Sequence, residues 1–231
     1  MRLIAKKVAL LAAFCDVFWF PSPIRYNHGM STDAIHYEAL SGFTPLSTFG
    51  PYRAADYWKL PEGEPVELLR GRFIVSPAPD TLHQTVSILL SELLLKIARI
   101  GGGRALAAPV DVAFDDHSIL QPDLLYVRKT RRAIIKKCVE GAPDLLVEIL
   151  SVHNSRRDRV DKLSLYAQYG VAEFWIVDPI ERQFDFLVNR GDKFEVQPQQ
   201  DNRYASPVCP ELAIDLTAFW RSVDEELGAD G

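Results

Sequence analysis

The chain has 231 residues, 48% hydrophobic and 25% charged, which suits one sizeable globular domain with tails. A formal net charge of −5 argues against a generally polycationic surface, so any nucleic-acid contact needs a local basic patch. Three scattered cysteines (Cys15, Cys138, Cys209) and five histidines without metal-ligand spacing argue against a disulfide framework or a structural zinc site.

The N-terminus opens "MRLIAKKVALLAAFCDVFWF", with basic residues before a short apolar run. It resembles the first two regions of a signal peptide, but no small-x-small cleavage site follows and Asp16 interrupts the run. The run is too short to span a bilayer, and Phe14 does not suit a lipoprotein cysteine at Cys15. The favoured expectation is a natural start at Met30 and a cytoplasmic protein without membrane contact, with export as the weaker alternative. Residues 1–50 read as an extension, 51–222 as the functional domain and 223–231 as a frayed tail.

Within the domain, "YRAADYWKLPEG" predicts a short helix ended by Pro61. "VELLRGRFIV" predicts a hairpin turning at Arg70-Gly71. Asp80 is a good N-cap for a helix whose Leu82, Val86, Leu89, Leu90, Leu93, Leu94, Ile97 and Ile100 form one apolar stripe. The triple glycine at 101–103 follows that helix, so it reads as a stop and not as a phosphate loop. "DVAF" and "ILQPDLLYV" predict strands, and "RRAIIKKCVEG" a basic connector. "DLLVEIL" is a short strand buried on both faces. After the polar loop "SVHNSRRDR" come the helix "RVDKLSLYAQYG", the strand "EFWIVD" and a hairpin across "NRGD". This mixed order predicts an α/β layer around one sheet, not a run of equal βαβ units.

The motif Pro-Asp-Leu-Leu occurs at Pro122–Leu125 and again at Pro143–Leu146, and the second copy carries Glu148 inside its apolar run. Asp144 and Glu148 face the same way along one strand but sit about 13 Å apart, too far to share an ion. Asp123 and Glu148 come from different segments. On neighbouring strands, about 5 Å apart, they could grip one cation. Asp144, at a Pro-Asp strand entrance, has an ordinary structural explanation. A bare carboxylate at Glu148 costs several kcal/mol unless it is paired or coordinated. Its partner is a buried cation or a metal. Lys162, early in the next helix with Tyr166 and Tyr169 on its face, is the candidate amine. Two acids, a lysine and a hard ion form a phosphodiesterase set, and oxygen-rich ligation favours Mg²⁺ or Mn²⁺.

Four segments, "VELLRGRFIVSPAPDTLHQ", "QPDLLYV", "GAPDLLVEILS" and "DKLSLYAQYGVAEFWIVDP", make the stretch from about Tyr57 to about Val196 resemble the Uma-two family of restriction-endonuclease-like proteins. That family is a branch of the PD-(D/E)XK nuclease superfamily. The resemblance implies a restriction-endonuclease-like core, with a mixed central sheet flanked by helices. It implies Asp123 and Glu148 as metal ligands, completed by the backbone carbonyl of Ile149. Leu150 stands where the superfamily usually has its lysine, and the family supplies the amine from the following helix, at Lys162. Glu67 and His83 match family positions near the first hairpin and helix start, and are further candidate catalytic residues. The implied activity is Mg²⁺-dependent endonucleolytic cleavage of nucleic acid, DNA first, with a homodimer allowed. The alternative is an inactive nucleic-acid- or protein-binding module on the same fold. "RKTRR" with "IIKK", or "SRRDR", could supply a basic patch or merely solvated connectors. No GxSxG element and no dinucleotide glycine fingerprint occur.

Overall fold

In the computed structural model, residues 48–76, 78–151 and 156–228 are described. Among these residues, thirteen strands and four α-helices follow in chain order. Helix α1 is only Ala54–Tyr57. Strands β1 (Val66–Leu69) and β2 (Arg72–Val75) form the hairpin expected around Arg70-Gly71. Both turn residues have positive φ, 48° and 75°, the signature of a tight type I′ connection. Helix α2 (Thr81–Gly101) starts where the Asp80 side chain accepts from the His83 N–H, and stops at left-handed Gly102. Its apolar stripe is buried at Val86, Leu90, Leu94 and Ile97, but Ile100, expected within the stripe, is exposed.

Two larger sheets follow. The first orders as β2-β1-β5-β4-β7, using β4 (Val112–Asp115), β5 (Ser118–Leu120) and β7 (Val139–Glu140). The second orders as β11-β10-β9-β8-β6-β3. Its members are β3 (Arg104–Ala107), β6 (Leu124–Val127), β8 (Leu145–Ile149), β9 (Glu173–Asp178), β10 (Gln183–Asn189) and β11 (Phe194–Gln197). Only β8 and β9 pair in parallel there, so this central sheet is mixed. A small ribbon, β12 (Arg203–Ala205) and β13 (Ala213–Asp215), leads into α4 (Leu216–Leu227).

The expectation of one sheet is therefore corrected. "ILQPDLLYV" is two strands in two different sheets, because the chain leaves β5 at Gln121-Pro122 and enters β6 after Asp123. Proline lacks the N–H that a continuing ladder needs. The connector at 129–134 is a 3₁₀ helix. The loop expected through Arg159 is already helix α3 (Arg156–Gln168). The tail expected from 223 is wrong at its start: α4 runs to Leu227 and buries Val223. Residues 48–50, expected in the extension, pack on the hairpin, where the Gly50 N–H donates to the Arg70 carbonyl. The proposed start at Met30, the apolar run around Cys15 and the end of the tail at 229–231 lie outside the described residues.

The central sheet is covered on both faces. On one, α2 and α4 pack Leu90, Leu94, Phe219 and Trp220 against Val147, Ile149, Trp175 and Phe184. On the other, Val160, Leu165 and Tyr166 of α3 join Leu125, Leu146 and Phe174 and meet Val112 and Leu120 of the first sheet. Each large apolar side chain so buried contributes about 1.5–3 kcal/mol. This is why β8 reads as a continuous apolar run. Glu148 is its single acidic interruption. Among the described residues, no helix is long and apolar enough to cross a membrane.

Candidate active site

Three segments deliver the candidate residues. β6 and β8 are antiparallel neighbours, with Leu124 opposite Val147. Extending that register by one residue sets Asp123 beside Glu148 on the same face. Parallel pairing of β8 with β9 then fixes the return of α3, the helix between them, over that face. The Lys162 Nζ lies 3.1 and 3.3 Å from the two Glu148 carboxylate oxygens. It lies 2.9 Å from Oε2 of Glu67, which arrives on β1 from the first sheet. The other Glu67 oxygen accepts the Gln121 backbone N–H at 2.7 Å. The break between β5 and β6 thus anchors Glu67 immediately before it presents Asp123.

Asp123 is fixed from the opposite side. Its Oδ2 accepts the Ile149 N–H at 2.7 Å and faces His83 Nε2 at 3.4 Å. Its Oδ1 has no partner among the described residues. His83 Nδ1 is buried and also has none. Glu67, His83, Asp123, Glu148, Ile149 and Lys162 all line one cavity of about 330 Å³. Side-chain exposure rises from 3% at Glu67 through 12% at Glu148 and 14% at Lys162 to 20% at Asp123. Asp123 is therefore the acid most open to an incoming group.

Burial pushes the Glu148 carboxyl above the usual carboxylate range. Lys162 pulls it back, the Asp123 and Glu67 charges push it up again, and Tyr166 opposes them. Lys162 is raised too: burial works against its charge, but Glu148 and Glu67 outweigh that. At His83, burial opposes the cation while the Asp123 hydrogen bond and charge favour it, with a smaller favourable contribution from the Ile149 backbone, and the net shift is upward. Three carboxylates, Glu67, Asp123 and Glu148, meet one lysine and one histidine here, so the cluster is short of positive charge.

That shortage is the test of fit for a divalent cation. Among the described residues, no three His, Cys, Asp or Glu side chains form a ready-made metal cage. The oxygens least engaged are Asp123 Oδ1, which has no partner among the described residues, and Glu148 Oε2, which has one long lysine contact. Both are hard donors. Small oxygen-seeking ions are commonly held by one or two carboxylates with water and substrate phosphate completing the shell. The donor set fits such an ion.

The remaining candidates separate cleanly. Asp144 is fully buried and is taken by Arg128, through its backbone N–H at 2.8 Å and Nε at 2.7 Å, and by Arg131 at 3.1 Å. Two cations of the "RKTRR" run are therefore tied down, and Lys136 pairs with Glu140. Tyr169 does not line the cavity and gives its hydroxyl to Asp115. Tyr166, one turn beyond Lys162, donates to Glu148 Oε1 at 2.7 Å, a partnership the sequence reading did not assign. Its signal was present in the i, i+4 spacing. Arg159 also lines the cavity, the one described side chain of the "SRRDR" run to do so.

Comparison with known proteins bears on the fold and the family. No curated protein matches the chain. A crystal structure of "a putative nuclease belonging to DUF820 from Anabaena variabilis ATCC 29413" is similar, with a TM-score of 0.63 and 23% identity over 75% of this chain and 99% of that one. At that identity the likeness speaks for the fold: a restriction-endonuclease-like core with a mixed sheet flanked by helices. The profile of the Uma2 family, described as "Putative restriction endonuclease", matches residues 54–218, and the chain belongs to that family.

Proposed function

We propose that the protein is a metal-dependent endonuclease that hydrolyses phosphodiester bonds, with DNA as the first substrate to test. The observation that carries this reading is the meeting of Asp123, Glu148 and Lys162, from three separate segments, at one cavity. Membership of the Uma2 family supports nuclease chemistry. Asp123, Glu148 and the Ile149 carbonyl would hold Mg²⁺ or Mn²⁺. When bound, such an ion polarises a phosphoryl oxygen and lowers the pKa of a coordinated water.

The chain's own groups then have distinct tasks. Lys162 orients the attacking water or stabilises charge developing on the phosphate. Glu67 holds that ammonium from behind and is itself held by the Gln121 N–H. His83 steadies the Asp123 carboxylate through Oδ2, which leaves Oδ1 for ligation. The attacking water gives up a proton as its oxygen bonds to phosphorus, the bond to the leaving oxygen breaks, and that oxygen takes up a proton in turn.

One observation favours the alternative of an inactive binding module. Lys162 is gripped by two carboxylates and is not directed freely into the cavity. Incubating the purified protein with DNA and RNA in Mg²⁺, Mn²⁺ or chelator, beside Glu148→Ala, separates the two. Cleavage should require metal and fall by at least about 100-fold in the variant. Binding without cleavage, unchanged by metal or by Glu148→Ala, would establish the module instead.

A further inference from the structure

We propose that Tyr166 is a positioning residue of the candidate centre: its hydroxyl, acting through Glu148, selects which carboxylate oxygen is offered to a divalent cation. The inference rests on the metal-dependent reading above.

A glutamate's terminal torsion is soft, so a carboxylate in a cavity can present either oxygen. Lys162 does not decide between them. Its ammonium touches both, at 3.1 and 3.3 Å, and is drawn more closely to Glu67 at 2.9 Å. Tyr166 does decide. It donates to Oε1 alone, at 2.7 Å. Oε1 therefore carries two donors, and Oε2, with only the long Lys162 contact, keeps a lone pair for the cavity. The bond is directional because packing holds the ring in place. Tyr166 is wholly buried, with Phe114 and Phe174 rings at 5.5 and 5.2 Å. Lys162 and Tyr166 sit one helical turn apart, so a single rigid element sets both the charge and the orientation of the ligand.

A merely structural hydroxyl would satisfy a buried carboxylate and do nothing more. The two roles differ in how metal binding responds. Titrating the full chain with Mn²⁺ by calorimetry, Tyr166→Phe should bind about 10–100-fold more weakly than wild type. The Mn²⁺ concentration for half-maximal cleavage should rise by the same factor, while the KM for nucleic acid stays put. Phe114→Leu, which removes a ring packed on Tyr166 and none of the polar partners of Glu148, should weaken Mn²⁺ binding in the same direction. It keeps the test open if Tyr166→Phe does not fold. Wild-type Mn²⁺ affinity in the variants, with only a lower melting temperature, would overturn the proposal. Wild-type protein that binds Mn²⁺ and cleaves nothing would defeat the nuclease reading while leaving Tyr166 measurable. Wild-type protein that binds no Mn²⁺ would defeat both.

Discussion

Asp144 and Glu148 stand four residues apart, and their surroundings divide them. Asp144 has two guanidinium groups and a backbone N–H to itself, and it lies outside the cavity. Glu148 shares one ammonium with Glu67. Asp144→Ala should therefore act on stability. Losing the carboxylate strands the Arg128 N–H and two cations, at a cost of about 2–4 kcal/mol, moderated because both arginines keep water contact. Its urea midpoint should drop while Mn²⁺ affinity stays at the wild-type value. A variant with normal stability and lost metal binding would reverse the assignment of the two acids. Lys162→Met should do the opposite of a ligand loss. It removes the cation that competes for Glu148, so Mn²⁺ affinity should not weaken, while cleavage falls by about 100–1,000-fold. Glu148 was legible in the sequence because an acid inside "LLVEIL" demands a partner. The bond from Tyr166 was not, because the spacing shows which residues share a face but not how α3 lies over β8.

At the scale of elements, the hairpin and the helix stop were legible because they depend on local backbone chemistry. Arg70-Gly71 and Gly102 need positive φ, and turn residues advertise that. The division of "ILQPDLLYV" between two sheets was not legible. Both halves are equally apolar, since β5 and β6 are buried strands, and only Pro122 marks the crossing. The adjacency of Asp123 and Glu148 depends on a β6–β8 register that no local pattern encodes. The hairpin matters to the site because it carries Glu67. Gly71 has φ of 75°, and a Cβ there would meet the Gly50 carbonyl oxygen at 2.5 Å. Gly71→Ala should cost about 1–3 kcal/mol of stability through strain alone. Because the shift is transmitted along β1, it should also loosen the Glu67–Lys162 pair and reduce cleavage beyond the loss of folded protein. Thermal melts and rates normalised to folded fraction measure both. An unchanged melting temperature would mean the turn accommodates a side chain after all.

At the scale of the molecule, the net charge of −5 argues against strong non-specific nucleic-acid binding, and some described cations are already paired with acids. Arg128 and Arg131 serve Asp144, Lys136 serves Glu140, and Arg182 serves Asp224. Another buried acid, outside the cavity lining, helps join the central sheet to the C-terminal ribbon. Glu173 on β9 accepts from Trp175 Nε1 at 2.6 Å, from the Tyr204 hydroxyl at 2.9 Å and from Ser206. Burial pushes its carboxyl above the ordinary value of 4.5, and those three donors only partly offset the push. Between 4.5 and the raised value, the folded chain keeps a proton that the unfolded chain has lost. Rising pH therefore favours unfolding across that window. Glu173's contribution to stability is complete below pH 4.5, declines as pH climbs to the folded value and is level above it. Glu173→Gln mimics the protonated acid and cannot ionise. Its urea midpoint should lack this declining limb, so the gap between variant and wild type should widen with pH from about 4.5 and then hold constant. Other raised acids such as Glu148 contribute to both proteins and cancel in the difference. Parallel stability curves for the two proteins across the range would show that Glu173 is ionised as readily in the fold as out of it, and that its three donors outweigh its burial.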